Sequence, residues 1–145
     1  MLLKDMMTRD VITVSPNSSL REVGQMLKEK KISGIPVIET DGSIVGIVTV
    51  TDILKILKEI YQWQEIERKT VGLRVSELLG KESLNKKVKD VMTKNVFTLD
   101  ENKTIKDLMQ LMFTKNAHTI PITRDGRLVG IIGKRDLVYS CFKYF

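Results

Sequence analysis

The chain has 145 residues, 42% apolar and 29% charged, a composition that supports a packed core for one domain or two very small ones and excludes intrinsic disorder. Lys and Arg outnumber Asp and Glu by 24 to 18, and the net charge of +6 favours anionic partners. A single cysteine, Cys141, and a single histidine, His118, exclude an internal disulfide and a His/Cys metal cluster, and no GxSxG, GxGxxG, HExxH or P-loop motif occurs.

From the N-terminus, Met1-Leu2-Leu3 gives way at once to Lys4-Asp5, without the apolar run of a signal peptide. No later apolar run approaches the roughly 18 residues of a membrane span. A soluble cytoplasmic protein is expected, which one unpaired cysteine suits. Lys4-Asp5-Met6-Met7-Thr8 reads as a turn leading into a short strand, Val11 to Val14. A helix follows from Ser18 or Ser19, with Leu20, Val23, Gly24 and Leu27 on one face. Two apolar runs, Ile35 to Ile38 and Ile44 to Thr49, flank Asp41-Gly42 and predict a hairpin. A second helix opens near Thr51-Asp52 and carries the stripe Ile53, Ile56, Leu57, Ile60 and Trp63. It runs into a polar connector, Gln62 to Lys87, with a short helical segment near Val75 to Leu79. Tyr61, Trp63 and Ile66 are placed to pack on their own module or on a twin chain.

The order then repeats. Lys4 to Val14 returns as Lys89 to Leu99 at an offset of 85, and Ile35-Pro36-Val37 returns as Ile120-Pro121-Ile122. After one deleted loop residue the offset is 84, taking Gly42, Gly46 and Asp52 to Gly126, Gly130 and Asp136. The second copy predicts a strand at Val96 to Leu99 and a helix starting at Asn102 or Lys103-Thr104, with Ile105, Leu108, Met109 and Met112 on one face. Thr119 to Thr123, Asp125-Gly126 and Leu128 to Gly133 predict its hairpin, and a last helix opens near Arg135-Asp136. Each β-α-β-β-α unit is too small to bury its sheet alone, so the other copy is the expected partner. Both Ile-Pro pairs read as strand starts at an edge. Met26, Met109 and Met112 read as core filling, and the Met7-Thr8 and Met92-Thr93 pairs as closing each unit's sheet, with cleft lining as the lesser reading.

Two copies of Asp-x-Met-Thr, of [Ser/His]-x-Ile-Pro-[Val/Ile] and of Gly-Ile-[Val/Ile]-x-x-x-Asp resemble a tandem pair of CBS domains, the cystathionine β-synthase-type repeats that pair as a Bateman module. The resemblance spans residues 2–58 and 86–142, with 59–85 as a helical connector. It implies an α+β (α/β) fold of two β-α-β-β-α repeats packed sheet to sheet with pseudo-twofold symmetry, leaving two clefts. It also implies an adenosine-containing ligand (AMP, ADP, ATP or S-adenosylmethionine) and a homodimer; such a ligand sensor needs a separate regulated partner protein, and the residue types and short apolar runs themselves point to no catalytic or metal residues and no membrane contact.

At the matching positions, Gly46 to Asp52 carries the family's ribose motif in full. A carboxylate at a helix start can accept from both hydroxyls of a vicinal diol, with Thr49 and Thr51 beside it. Read from that segment alone, Thr51 or Asp52 is a helix cap. The resemblance places Asp52 opposite Val96, Phe97 and Thr98, with Ile120 and Pro121 nearby and His118, aided by Lys134 or Arg135, contacting a phosphate. The second cleft would combine Asp136 with Ile12, Thr13, Ser33, Ile35 and Pro36. Gly133 there lacks the hydroxyl of Thr49, and no basic partner is expected, so the Asp52/His118 cleft is ranked the better site. A scaffold or dimerisation module with empty clefts is the alternative. Nucleic-acid binding, resting on the net charge alone, ranks last because no stacking-aromatic or groove-helix motif supports it.

Overall fold

A computed structural model describes residues 1–66 and 79–143. The segment read near Val75 to Leu79 and the side chains of Trp63 and Ile66 lie outside the described part. After a 3-10 turn at Leu3–Asp5, the first repeat contains α1 (Leu20–Lys30), the hairpin β1 (Gly34–Ile38) and β2 (Ile44–Thr49), and α2 (Val50–Ile66). The short helix α3 (Gly80–Leu84) precedes the second repeat, which opens with the short helix α4 (Val88–Val91). That repeat contains β3 (Leu99–Asp100), α5 (Ile105–Lys115), β4 (Thr119–Arg124), β5 (Arg127–Gly133) and α6 (Lys134–Ser140).

Local chemistry accounts for the boundaries. Ser19 caps α1 by accepting the Glu22 N–H, and Thr104 caps α5 by accepting from Asp107. Asp107 returns the bond by accepting the Thr104 N–H at 3.0 Å, completing a capping box. Both helices end in a left-handed residue, Lys31 or Asn116. Between β4 and β5, Asp125 and Gly126 both have positive φ, the two-residue turn whose twist matches a hairpin. In the first repeat the turn is looser, and Asp41 holds it by accepting from the Ser43 N–H and hydroxyl, which depresses the Asp41 pKa.

The sheets are β1-β2 and β3-β4-β5. They meet where β1 and β4 begin: a Cβ on Gly34 would lie 3.2 Å from the Thr119 side chain. Gly34 and Thr119 are equivalent positions of the repeat, as contact across a pseudo-twofold axis requires. Pro121 lies inside β4, the central strand of its sheet, rather than at an edge. The parallel pairing to β3 starts at Leu99–Ile122, one residue beyond Pro121, so its missing N–H breaks no ladder bond. At Pro36 the chain uses only the carbonyl, which accepts the Val14 N–H.

The Asp-x-Met-Thr segments do not close their own units; they exchange. Thr8 N–H and C=O pair with Ile131 of the second repeat, and Leu3 and Lys4 N–H bond the Lys103 and Glu101 carbonyls. Reciprocally, Thr93 pairs with Ile47, and Val88 and Lys89 N–H bond Ser18 and Pro16 of the first repeat. Leu3 and Met7 consequently belong to the core of Leu108, Met112, Ile120, Ile122 and Ile132. Val88, with Met92 against it, belongs to the core of Val14, Val23, Leu27, Ile35, Val37 and Val48. Gly46 and Gly130 make the exchange possible, because a Cβ at either would collide with the Met92 or Met7 side chain.

This crossing also explains why Val11 to Val14 is not a full strand. With Thr8 paired to one repeat and Val14 to the other, residues 9–13 bridge two sheets and ladder with neither. Met109 is another departure: it is 42% exposed on α5, beside an 82% exposed Phe113, and fills no core.

Candidate functional site

Each of α2 and α6 follows directly on a strand and bears an aspartate in its first turn, Asp52 or Asp136. Both carboxylates cap. The Thr49 N–H donates to Asp52 Oδ2 at 2.8 Å, and the Gly133 N–H donates to Asp136 Oδ2 at 2.7 Å. The two differ in what remains. The Thr49 hydroxyl donates to Asp52 Oδ2 at 3.1 Å, the Thr93 hydroxyl donates to Oδ1 at 2.8 Å, and Asp52 is only 7% exposed. Asp136 is half-buried, Gly133 supplies no hydroxyl, and among the described residues nothing donates to Asp136 Oδ1.

Around Asp136 the crossing of residues 8–12 leaves a cavity of about 160 Å³, partly open to solvent. Val11, Ile12 and Ile32 give it an apolar wall from the first repeat, and Ile131 adds to it from the second. Lys31, Lys134 and Arg135 border it, against Asp10 and Asp136, so cations exceed anions by one. Thr8, Ser33 and Thr119 add hydroxyls. An apolar wall, a carboxylate with an open oxygen and a cationic rim can together hold a flat ring, a diol and an anionic group.

Several expected groupings change. Lys134 and Arg135, expected to serve the Asp52/His118 cleft, line the Asp136 cavity, so this cleft does have basic partners. The reason is local: they sit one and two residues before Asp136 on the same turn of α6 and travel with it. Ile12 and Ser33 join Asp136 as expected, whereas Thr13 is exposed and outside the lining. Ile35, Pro36, Ile120 and Pro121 are buried in β1 and β4 and do not line the cavity. On the other side, Thr49 is used in the cap of Asp52, Thr51 and Thr98 are exposed, and Val96 is half-buried. Phe97 is 39% exposed, with the Lys115 ammonium 5.8 Å over its ring. His118 is exposed, and its carbonyl accepts the Lys134 N–H as the Ser33 carbonyl accepts that of Val50.

Asp10, Val11, Lys31, Ile32, Thr119 and Ile131 at the cavity are residues the sequence reading missed, whereas Thr8 at the cavity and Thr93 at Asp52 had cleft lining only as their lesser reading. Thr8 and Thr93 did carry a signal, since they occupy equivalent positions of the repeated motif. Lys31 carried none beyond a charge after a helix.

The family model described as CBS domain matches residues 3–59 and 88–142. An uncharacterised protein of Methanocaldococcus jannaschii, MJ1426, is 34% identical over 95% of this chain and 89% of its own length. In several longer curated relatives the matching region is less than half of the protein. Among solved structures, the CBS domain pair of protein MJ0100 in complex with 5′-methylthioadenosine and S-adenosyl-L-methionine superposes with a TM-score of 0.75 at 25% identity, covering 100% of this chain and 98% of that one. CBSX2 in complex with AMP superposes with a TM-score of 0.73 at 26% identity, covering 98% and 96%.

Proposed function

This chain belongs to the CBS domain family, and from that premise we propose that it is a non-catalytic regulatory module that binds an adenosine nucleotide in the cleft at Asp136. The observation that carries the reading is the convergence in one cavity of a half-buried carboxylate with an open oxygen, an apolar wall from the opposite repeat and three basic side chains. Asp136 accepts from the ribose hydroxyls, Ile12 and its neighbours face the base, and Lys31, Lys134 and Arg135 face the phosphate. Two related CBS pairs were solved with AMP or with 5′-methylthioadenosine and S-adenosyl-L-methionine, which supports an adenosine ligand.

Because residues 8–12 and 31–34 come from the first repeat and residues 131–136 from the second, a bound ligand contacts both. A ligand preferring one arrangement of the repeats by 1–3 kcal/mol is enough to carry a signal. Leu54 and Tyr61 on α2 and Val138 and Tyr139 on α6 are more than half exposed, which supports a homodimer built on these helices. Isothermal titration of AMP, ADP, ATP and S-adenosylmethionine tests the reading. Saturable binding of at least one is expected, and no saturable binding by any of them overturns it.

A further inference from the structure

The two helix-start aspartates sit in equivalent frames, yet only one meets a threonine from the opposite repeat. Thr8 and Thr93 are held alike: each exchanges two backbone hydrogen bonds with a strand of the other repeat, Thr8 with Ile131 at 3.0 Å and Thr93 with Ile47 at 2.9 Å. Backbone placement therefore does not separate them. The side chains do. Thr93 Oγ1 donates to Asp52 Oδ1 at 2.8 Å, while the Thr8 hydroxyl leaves Asp136 alone and lines the open cavity. Thr49 completes the difference, because its hydroxyl engages Oδ2 of the same carboxylate, and Gly133 offers nothing comparable.

We propose that Thr93 is the chain's own occupant of the diol position at Asp52: its hydroxyl stands where a ligand hydroxyl would donate, latching the two repeats together and closing that cleft, so that one ligand binds per chain. A ligand diol at Asp52 would have to displace a bond already made to a buried carboxylate, and exchanging one hydroxyl for another gains little. At Asp136 no such displacement is needed. The one-ligand half of the proposal rests on the function proposed above; the latch half does not.

Thr93→Val, Thr93→Ser and Thr8→Val separate the two halves. In thermal melts without ligand, Thr93→Val is expected to lower Tm by a few degrees by leaving Asp52 Oδ1 without its donor. Thr93→Ser, which keeps the hydroxyl, and Thr8→Val should stay near the parent. Equal losses in Thr93→Val and Thr8→Val overturn the latch. In titrations with AMP, the parent is expected to bind one equivalent and Thr93→Val two. Two equivalents in the parent, or one in Thr93→Val, overturn the closure of the Asp52 cleft by Thr93. Absence of AMP binding in every variant, with the Tm difference intact, overturns the one-ligand half and the ligand reading together and leaves the latch supported.

Discussion

Asp52 and Asp136 descend from one motif, end the same kind of strand and cap the same kind of helix, yet one carboxylate is saturated and the other is open. Part of the difference is the Thr93 hydroxyl on Asp52 Oδ1, which the equivalent Thr8 does not reproduce at Asp136, and three substitutions add to it: Thr49 becomes Gly133, Val50 becomes Lys134 and Thr51 becomes Arg135. The first withdraws a hydroxyl from the carboxylate, and the other two bring positive charge to the cavity rim. On the function proposed above, duplication leaves a structural copy and a binding copy in one chain. What a motif match establishes is the position of the aspartate, whereas its neighbours decide whether that aspartate is spent on the fold.

The largest effects should come from the exchanged segments on which both clefts depend. Met7 is buried against Gly130 and the second core, while Met92 packs half-buried on the first. Truncating a buried methionine costs about 2–5 kcal/mol. Met7→Ala should fall within that range in chemical denaturation, and Met92→Ala should cost less. Equal costs would mean that the two crossings are energetically alike despite their unequal burial.

The aspartates themselves give the sharper contrast. Asp136→Asn should weaken AMP binding about 10- to 100-fold, the loss of one or two charge-assisted hydrogen bonds at 1.4 kcal/mol per decade. Asp52→Asn should leave AMP affinity within about twofold and instead cost about 1–3 kcal/mol of stability, because a buried acceptor of three hydrogen bonds is changed. Titration calorimetry and denaturation of the two variants decide it, and the opposite pattern would transfer the binding role to Asp52.

The contrast also marks how far the residues alone could be read. The repeat, its elements and both helix-start aspartates were legible because they depend on local periodicity and on spacing within one copy. The caps at Ser19 and Thr104 and the hairpin at Asp125-Gly126 follow from short-range chemistry of the same sort. The exchange of Met7-Thr8 and Met92-Thr93 was not legible, because a motif present in both copies fits either repeat equally well by pattern. Which repeat it joins depends on whether five residues, 9–13, turn back or cross over. The grouping of Lys134 and Arg135 failed for a different reason: they directly precede Asp136 on the first turn of α6 and travel with it, a short-range relation that the assignment to the opposite cleft overrode.

The smallest expected effect concerns acid. Glu101 is buried and paired with Arg124, whose guanidinium holds the Glu101 carboxyl below its ordinary value of 4.5. The equivalent positions in the first repeat are Pro16 and Glu39, so that repeat has no such pair. A carboxyl whose pKa is lowered by folding binds protons more readily when unfolded. Its contribution is therefore complete above about pH 4.5 and is lost as the pH falls through the lower folded value. Glu101→Gln should reduce Tm slightly at pH 7 and narrow the gap in Tm between pH 7 and pH 3. Because the Glu101 carbonyl also receives the Lys4 N–H, the pair sits where the N-terminal segment docks onto the second repeat. Acid weakening should accordingly appear first as faster amide exchange at Lys4, before any change at α4, its counterpart on the first repeat. Simultaneous loss at both places would show that the two crossings open as one unit.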